Sequence, residues 1–183
     1  ESLVEVQVEP ERPSHIPVSA ESLTAWPEGS PQAAQASLLQ GAYELYEAGD
    51  YAAALTQITA ITATQGLPAT YISWKRAEVL TALERRQEAR AAWAEIPVEA
   101  RLGREALLAR ARSLHEEGRP HPALLLLEAF PLLDADGPKD PAHLRAELLR
   151  GQALLARSLG GDRNLGYQAC SRSWAHAGAS RSV

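Results

Sequence analysis

The sequence predicts an all-α chain of repeated helix pairs behind an extended, proline-rich leader. Three observations lead there. Alanine (34) and leucine (26) make up about a third of the 183 residues, while Phe occurs once and Met never. That is the composition of closely packed helices. Five of the twelve prolines fall within the first 31 residues. From residue 32 onward apolar side chains recur at helical spacing, and the pattern itself repeats about every 34 residues.

The leader comes first. Pro10, Pro13, Pro17, Pro27 and Pro31 fix φ, lack an amide hydrogen and push the preceding residues towards extended geometry, so residues 10–31 are not one helix. Ahead of them Val4, Val6 and Val8 alternate with Glu5, Gln7 and Glu9, the period-2 pattern of a short strand at 3–8. A lone strand needs a partner, in a second chain or in a further domain, so self-association through this strand is one expectation. A leader without regular structure is the other. Residues 1–50 carry nine acidic side chains against Arg12, a balance of −8; residues 51–183 carry 14 acidic and 17 basic, a balance of +3. Such a leader can fold back across a groove or serve solubility. With Glu1 in place of Met, the expectation is a processed or excised piece.

The repeat is anchored by small residues. Ala42, Ala77 and Ala111 lie 35 and 34 positions apart, and Ala54, Ala89 and Ala123 repeat those intervals. Each pair of alanines is separated by 12 residues, enough for two antiparallel helices joined by a tight turn. Around them stand Leu38, Leu45, Ile58 and Ile61 in the first unit and Leu80, Trp93 and Ile96 in the second. The third has Leu107, Leu114, Leu127 and Phe130. A fourth unit keeps Leu149, Ala153 and Gly160 but has Leu165 at the second-helix alanine position. It follows an insertion, Asp134–Pro141, whose prolines and glycine read as a loop; Pro141 suits the first turn of a helix. The expected organisation is a leader at 1–31, helix pairs at 32–65, 67–97, 98–133 and 141–177, and a tail at 178–183.

These residues resemble the tetratricopeptide repeat family, closely over 32–130 and with departures over 141–177. Gly49-Asp50-Tyr51 and the run from Gly118 to Ala123 match the family's turn; the run from Glu84 to Ala89 matches it without its glycine. The resemblance implies TPR-like helix-turn-helix repeats in a short right-handed superhelix, a solenoid whose first helices line a concave groove. It implies a non-catalytic scaffold that binds a protein or peptide partner there. Carried onto this sequence, the family's groove positions are Leu39, Tyr43 and Tyr46; Tyr71, Trp74 and Glu78; Leu108, Arg112 and His115; and Arg150, Leu154 and Arg157. Tyrosines and a tryptophan at one end and arginines at the other suit an extended peptide or a helix with acidic groups. Aromatics at this spacing also suit a core, and charged side chains a solvated face. The family's carboxylate clamp of lysines and asparagines is not matched, because Lys75 is the one lysine of the first three units and Asn164 lies outside them.

Sequence signals for chemistry are sparse. His143 and Glu147 share a helix face at i,i+4, which reads as a surface pair rather than a metal site. His121, between Pro120 and Pro122, reads as a turn residue, and Cys170 as a buried structural thiol without a catalytic partner. No phosphate loop, Gly-x-Ser-x-Gly elbow or His-Glu-x-x-His occurs, so no catalytic residue, cofactor or metal is expected. A net charge of −5 argues against nucleic acid, and no apolar run approaches a membrane span. A second resemblance, in the run from Gly118 to Glu128 and in Ser171-Arg172-Ser173-Trp174, is to the helical domain of soluble lytic transglycosylases. It implies instead a non-catalytic part of a larger bacterial envelope enzyme. Scarce lysine beside abundant Ala, Leu and Arg points to a GC-rich bacterial genome, with either the cytoplasm or, after signal removal, the periplasm as compartment.

Overall fold

The computed structural model describes residues 30–61, 69–130 and 141–179. The strand expected at 3–8, the leader up to residue 29 and the insertion up to residue 140 lie outside them. The described residues form eight helices: α1 (Pro31–Glu47), α2 (Tyr51–Ala60), α3 (Ala69–Ala82), α4 (Arg86–Ala94), α5 (Gly103–Glu116), α6 (Pro120–Leu127), α7 (Pro141–Arg157) and α8 (Asp162–Ala179). Each helix packs on the next, most intimately within the pairs α1/α2, α3/α4, α5/α6 and α7/α8, and α5 also touches α7.

Helix starts follow ordinary capping chemistry. The Ser30 hydroxyl accepts a hydrogen bond from the Ala33 amide at 3.1 Å, and Pro31 occupies the first turn of α1. Asp50 does the same for α2, accepting from Ala53 at 3.1 Å. Pro141 opens α7. His121 stands inside the first turn of α6, and not in the turn before it, because Pro120 has already set the helical φ.

One turn geometry occurs three times. The amide of Asp50 donates to Leu45 O, that of Arg85 to Leu80 O, and that of Arg119 to Leu114 O, each at 2.9 Å. In every case the preceding residue is left-handed: Gly49 at φ 82°, Glu84 at φ 59° and Gly118 at φ 71°. This is the six-residue helix-ending loop that glycine favours. Glu84 adopts it without a glycine's freedom, and so carries the steric cost of a Cβ in that region.

The alanines sit where these turns bring the helices together. Ala54, Ala77, Ala89, Ala111 and Ala123 are 0% exposed and Ala42 is 1% exposed. Larger side chains pack around them in three clusters. One joins Leu39, Ile58 and Ile61 to Ile72 and Val79 of α3. The second gathers Leu80, Trp93, Ile96 and Leu102, and the third gathers Leu107, Leu114, Leu127, Phe130 and Leu149. Every cluster spans a pair and the helix that follows it, so no pair completes its core alone.

The last pair departs from the expected register. Leu165, placed at the second-helix alanine position, is exposed; Ala169 is the buried one. The crossing has moved to glycine: a Cβ on Gly151 would stand 2.5 Å from Cys170 Sγ and 2.9 Å from Gly166 O. Backbones that close exclude any side chain. The turn differs too, with left-handed Ser158 and Gly161 in place of Gly160. It is tied by Asp162, which accepts from Leu159 N at 2.9 Å and from Arg157 Nε and Nη2 at 2.8 and 2.7 Å. The Arg157 hydrogen bonds, against the opposing effect of burial and with help from the Leu159 amide, hold the Asp162 carboxyl below the usual aspartate value.

The turn geometry makes a signed prediction. Glu84→Gly is expected to stabilise the chain by about 0.5–1 kcal/mol, and Gly118→Ala to destabilise it by about 1 kcal/mol. Urea midpoints check both; a Glu84→Gly variant no more stable than the parent would contradict the assigned conformation.

Candidate partner-binding groove

The first helix of each pair contributes one wall of an open groove of about 520 Å³. It runs from Tyr46 on α1, past Trp74 and Glu78 on α3 and Leu108 and Arg112 on α5, to Arg145 on α7. Trp74 and Trp93 meet at 6.4 Å between ring centroids, inclined at 54°, so that α3 and α4 together present two indoles to it. Trp93 is buried, and its Nε1 has no hydrogen-bond partner among the described residues.

Glu78 organises the aromatic end. It accepts from Trp74 Nε1 at 2.9 Å and from Lys75 Nζ at 2.8 Å, which fixes the indole edge and neutralises one cation. Lys75 Nζ also lies 5.7 Å from the centre of the Tyr71 ring, a cation–π distance. Burial works against the Lys75 charge, yet the Glu78 carboxylate, by charge and hydrogen bond, outweighs it and raises the lysine. Burial first, and then Glu78, raises Tyr46. Burial also raises Tyr71, with Lys75 opposing.

The sequence-selected residues divide into four groups. Tyr46, Trp74 and Arg112 line the groove together with Glu78 and Leu108. Tyr43 is exposed, and Tyr71 is half-buried beside Lys75; both bear on the Lys75 charge without lining the groove. Leu39 and Leu154 are buried, and His115 is half-buried with Nδ1 unpartnered among the described residues. Arg150 and Arg157 are spent internally. Arg150 donates to Leu127 O and Phe130 O, each at 2.7 Å, capping the end of α6, and pairs with Glu147; Arg157 grips Asp162. The expected strip of three arginines is therefore reduced to Arg112. This guanidinium is exposed and has no ion-pair or hydrogen-bond partner among the described residues.

Several lining groups were not selected from the sequence. Glu105 and Glu116 share the Arg112 face of α5, at seven and four residues' remove, a spacing that was legible. Arg145 pairs with Glu105 across from α7, and Trp93 reaches the groove from a second helix; only the tertiary arrangement places these two. With Glu84 and Arg86 at its edge the groove carries both signs of charge, not a basic strip.

His143 and Glu147 are not the surface pair their spacing suggests: they are 5% and 1% exposed. Glu147 is held between Arg150 and Arg172, and the His143 ring meets Phe130 edge-on at 5.6 Å and 86°. A buried carboxylate with two guanidinium partners satisfies the desolvation that an i,i+4 pair alone could not. Cys170 is half-buried; burial, and then Glu147, raises its thiol, which disfavours the thiolate. Among the described residues no three His, Cys, Asp or Glu side chains are grouped to hold a metal ion, and no helix is long and apolar enough to cross a membrane.

Lys75, Tyr46 and Tyr71 all hold their protons more tightly folded than unfolded. Their contribution to stability is complete below about pH 10 and lost as pH rises through the folded values. Urea midpoints measured between pH 8 and about pH 11.5 are expected to fall, and Glu78→Gln to flatten that fall. Parallel curves for the two proteins would show that Glu78 does not set the proton affinity of this cluster.

Comparison with protein-family models, with curated proteins and with solved structures gives no match for this chain.

Proposed function

We propose that this chain is a non-catalytic scaffold of tetratricopeptide-like repeats, a short solenoid, that holds a peptide or protein segment in the groove between Tyr46 and Arg145. The observation that carries the reading is an open groove in which the part-exposed Tyr46 and Trp74, backed by the buried Trp93 and Leu108, stand with an unpartnered guanidinium. Aromatic side chains supply contact area at small entropic cost. Arg112 supplies a bidentate donor for a carboxylate. The preferred segment sets an apolar side chain against Trp74 and Tyr46 and a carboxylate on Arg112. Because Glu78, Glu84, Glu105 and Glu116 line the same groove, a uniformly acidic segment is disfavoured and one isolated carboxylate is preferred.

Panning a displayed random-peptide library on the 183-residue chain tests this. Selected peptides are expected to pair an aliphatic or aromatic residue with Asp, Glu or a free C-terminus. Arg112→Glu should weaken them by about 1–3 kcal/mol, and Trp74→Ala by a similar amount. Failure to select any peptide, or peptides indifferent to both substitutions, would overturn the groove reading.

A further inference from the structure

The two ends of the helix array are finished differently. Within the array α2 packs on α3 through Ile72 and Val79. Thirty-five positions earlier, the corresponding α1 residues are Ser37 and Glu44, both exposed, with Gln40 Nε2 donating to Glu44 Oε1 at 3.0 Å between them. Residues 30–61 contain no basic side chain. The first pair thus turns a polar, acidic face outward, as a terminal unit does to stay soluble.

On α8 the face opposite the buried Asp162, Gly166, Ala169 and Ser173 is polar too, with Asn164, Gln168 and Ser171 exposed, but the flank beside it is aromatic. Tyr167 is 54% and Trp174 is 75% exposed. At 100° per residue Arg163, Tyr167 and Trp174 fall on one stripe, about 16 Å long. Arg145, Arg150, Arg157 and Arg172 of this pair are all ion-paired. Arg163 has no ion-pair or hydrogen-bond partner among the described residues. Tyr, Trp and Arg are the side chains that dominate binding energy at protein interfaces.

We infer that this stripe is a self-association surface, on which two copies pair α8 antiparallel about a twofold axis with Arg163 of each over the other's Trp174. The stripe is complementary to itself in that orientation, with a cation at its N-terminal end and an indole at its C-terminal end. An isologous pairing therefore makes the same cation–π contact twice and places the two Tyr167 side chains next to the axis. Head-to-tail stacking would instead set Tyr167 and Trp174 on Ser37, Gln40 and Glu44, burying polar groups against rings, and would not close. The interface is small, which puts the dimer in the micromolar range.

Sedimentation velocity of the 183-residue chain from about 1 to 300 µM tests the inference directly. The weight-average mass is expected to rise from 19.7 kDa towards twice that value and no further. Trp174→Ala and Arg163→Glu should each weaken the dimer at least about tenfold with unchanged far-ultraviolet circular dichroism, while Arg163→Lys, which keeps the cation, retains most of it. A constant 19.7 kDa would overturn the proposal, and so would growth past the dimer. Variants that associate as the parent does would overturn it as well. The groove reading stands or falls separately, because none of these residues lines the groove.

Discussion

Helices approach closely only where the side chains between them are small, and here that constraint falls on alanine at three successive crossings. Ala42 shares a buried cluster with Ala54, Ala77 with Ala89 and Ala111 with Ala123, each 0–1% exposed. Alanine is also the strongest helix former, so the residue that permits the crossing stabilises the helices that cross. The larger side chains then have no room between the paired helices and are displaced towards the next pair, where they form the clusters that join one pair to another. At the final pair glycine replaces alanine, and α7 and α8 come closer still. The groove follows from this arrangement, because fixed crossings hold the first helices side by side with their outward faces aligned.

Charge is sorted by the same geometry. Arg90 reaches Ser113 at 3.0 Å and pairs with Glu117, tying α4 to α5; Arg76 pairs with Glu95 across α3 and α4. Arg150 and the part-exposed Arg172 both pair with the buried Glu147, a triad that fastens α6, α7 and α8 together. Such buried ions add little net stability compared with apolar packing, and they specify one arrangement over others, because any slip leaves a charge unpaired. Arg112 in the groove and Arg163 on α8 have no ion pair among the described residues, and neither do Arg86, Arg101, Arg110 and Arg119.

Much of the architecture was legible because it rests on local signals. Gly49-Asp50 and Gly118 announce turns, and the alanine intervals announce crossings. The turn at Glu84 is read from its match to the family's turn and not from a glycine; its left-handed residue is closed by the hydrogen bond from Arg85 N to Leu80 O. The last pair was misaligned because its close contact uses Gly151 and Gly166, a different small residue at a different offset. In the groove, the carry-over of the resembled family's groove positions onto the first helices selected Tyr46, Trp74, Leu108 and Arg112. It selected Arg150 and Arg157 equally well, because a helix position does not reveal whether a carboxylate or a helix end waits inside. Trp93 and Arg145 came from other helices and needed the tertiary structure.

The most direct test of this account compares two substitutions on the same scale. Ala77→Leu inserts three carbon atoms at a crossing with 0% exposure, whereas Ala52→Leu adds them on the exposed side of α2. Urea unfolding is predicted to show a loss of about 1–3 kcal/mol for Ala77→Leu and a change within about 0.5 kcal/mol for Ala52→Leu. Equal midpoints for the two would mean that the alanine crossings do not set the helix packing, and the account built on them would fail.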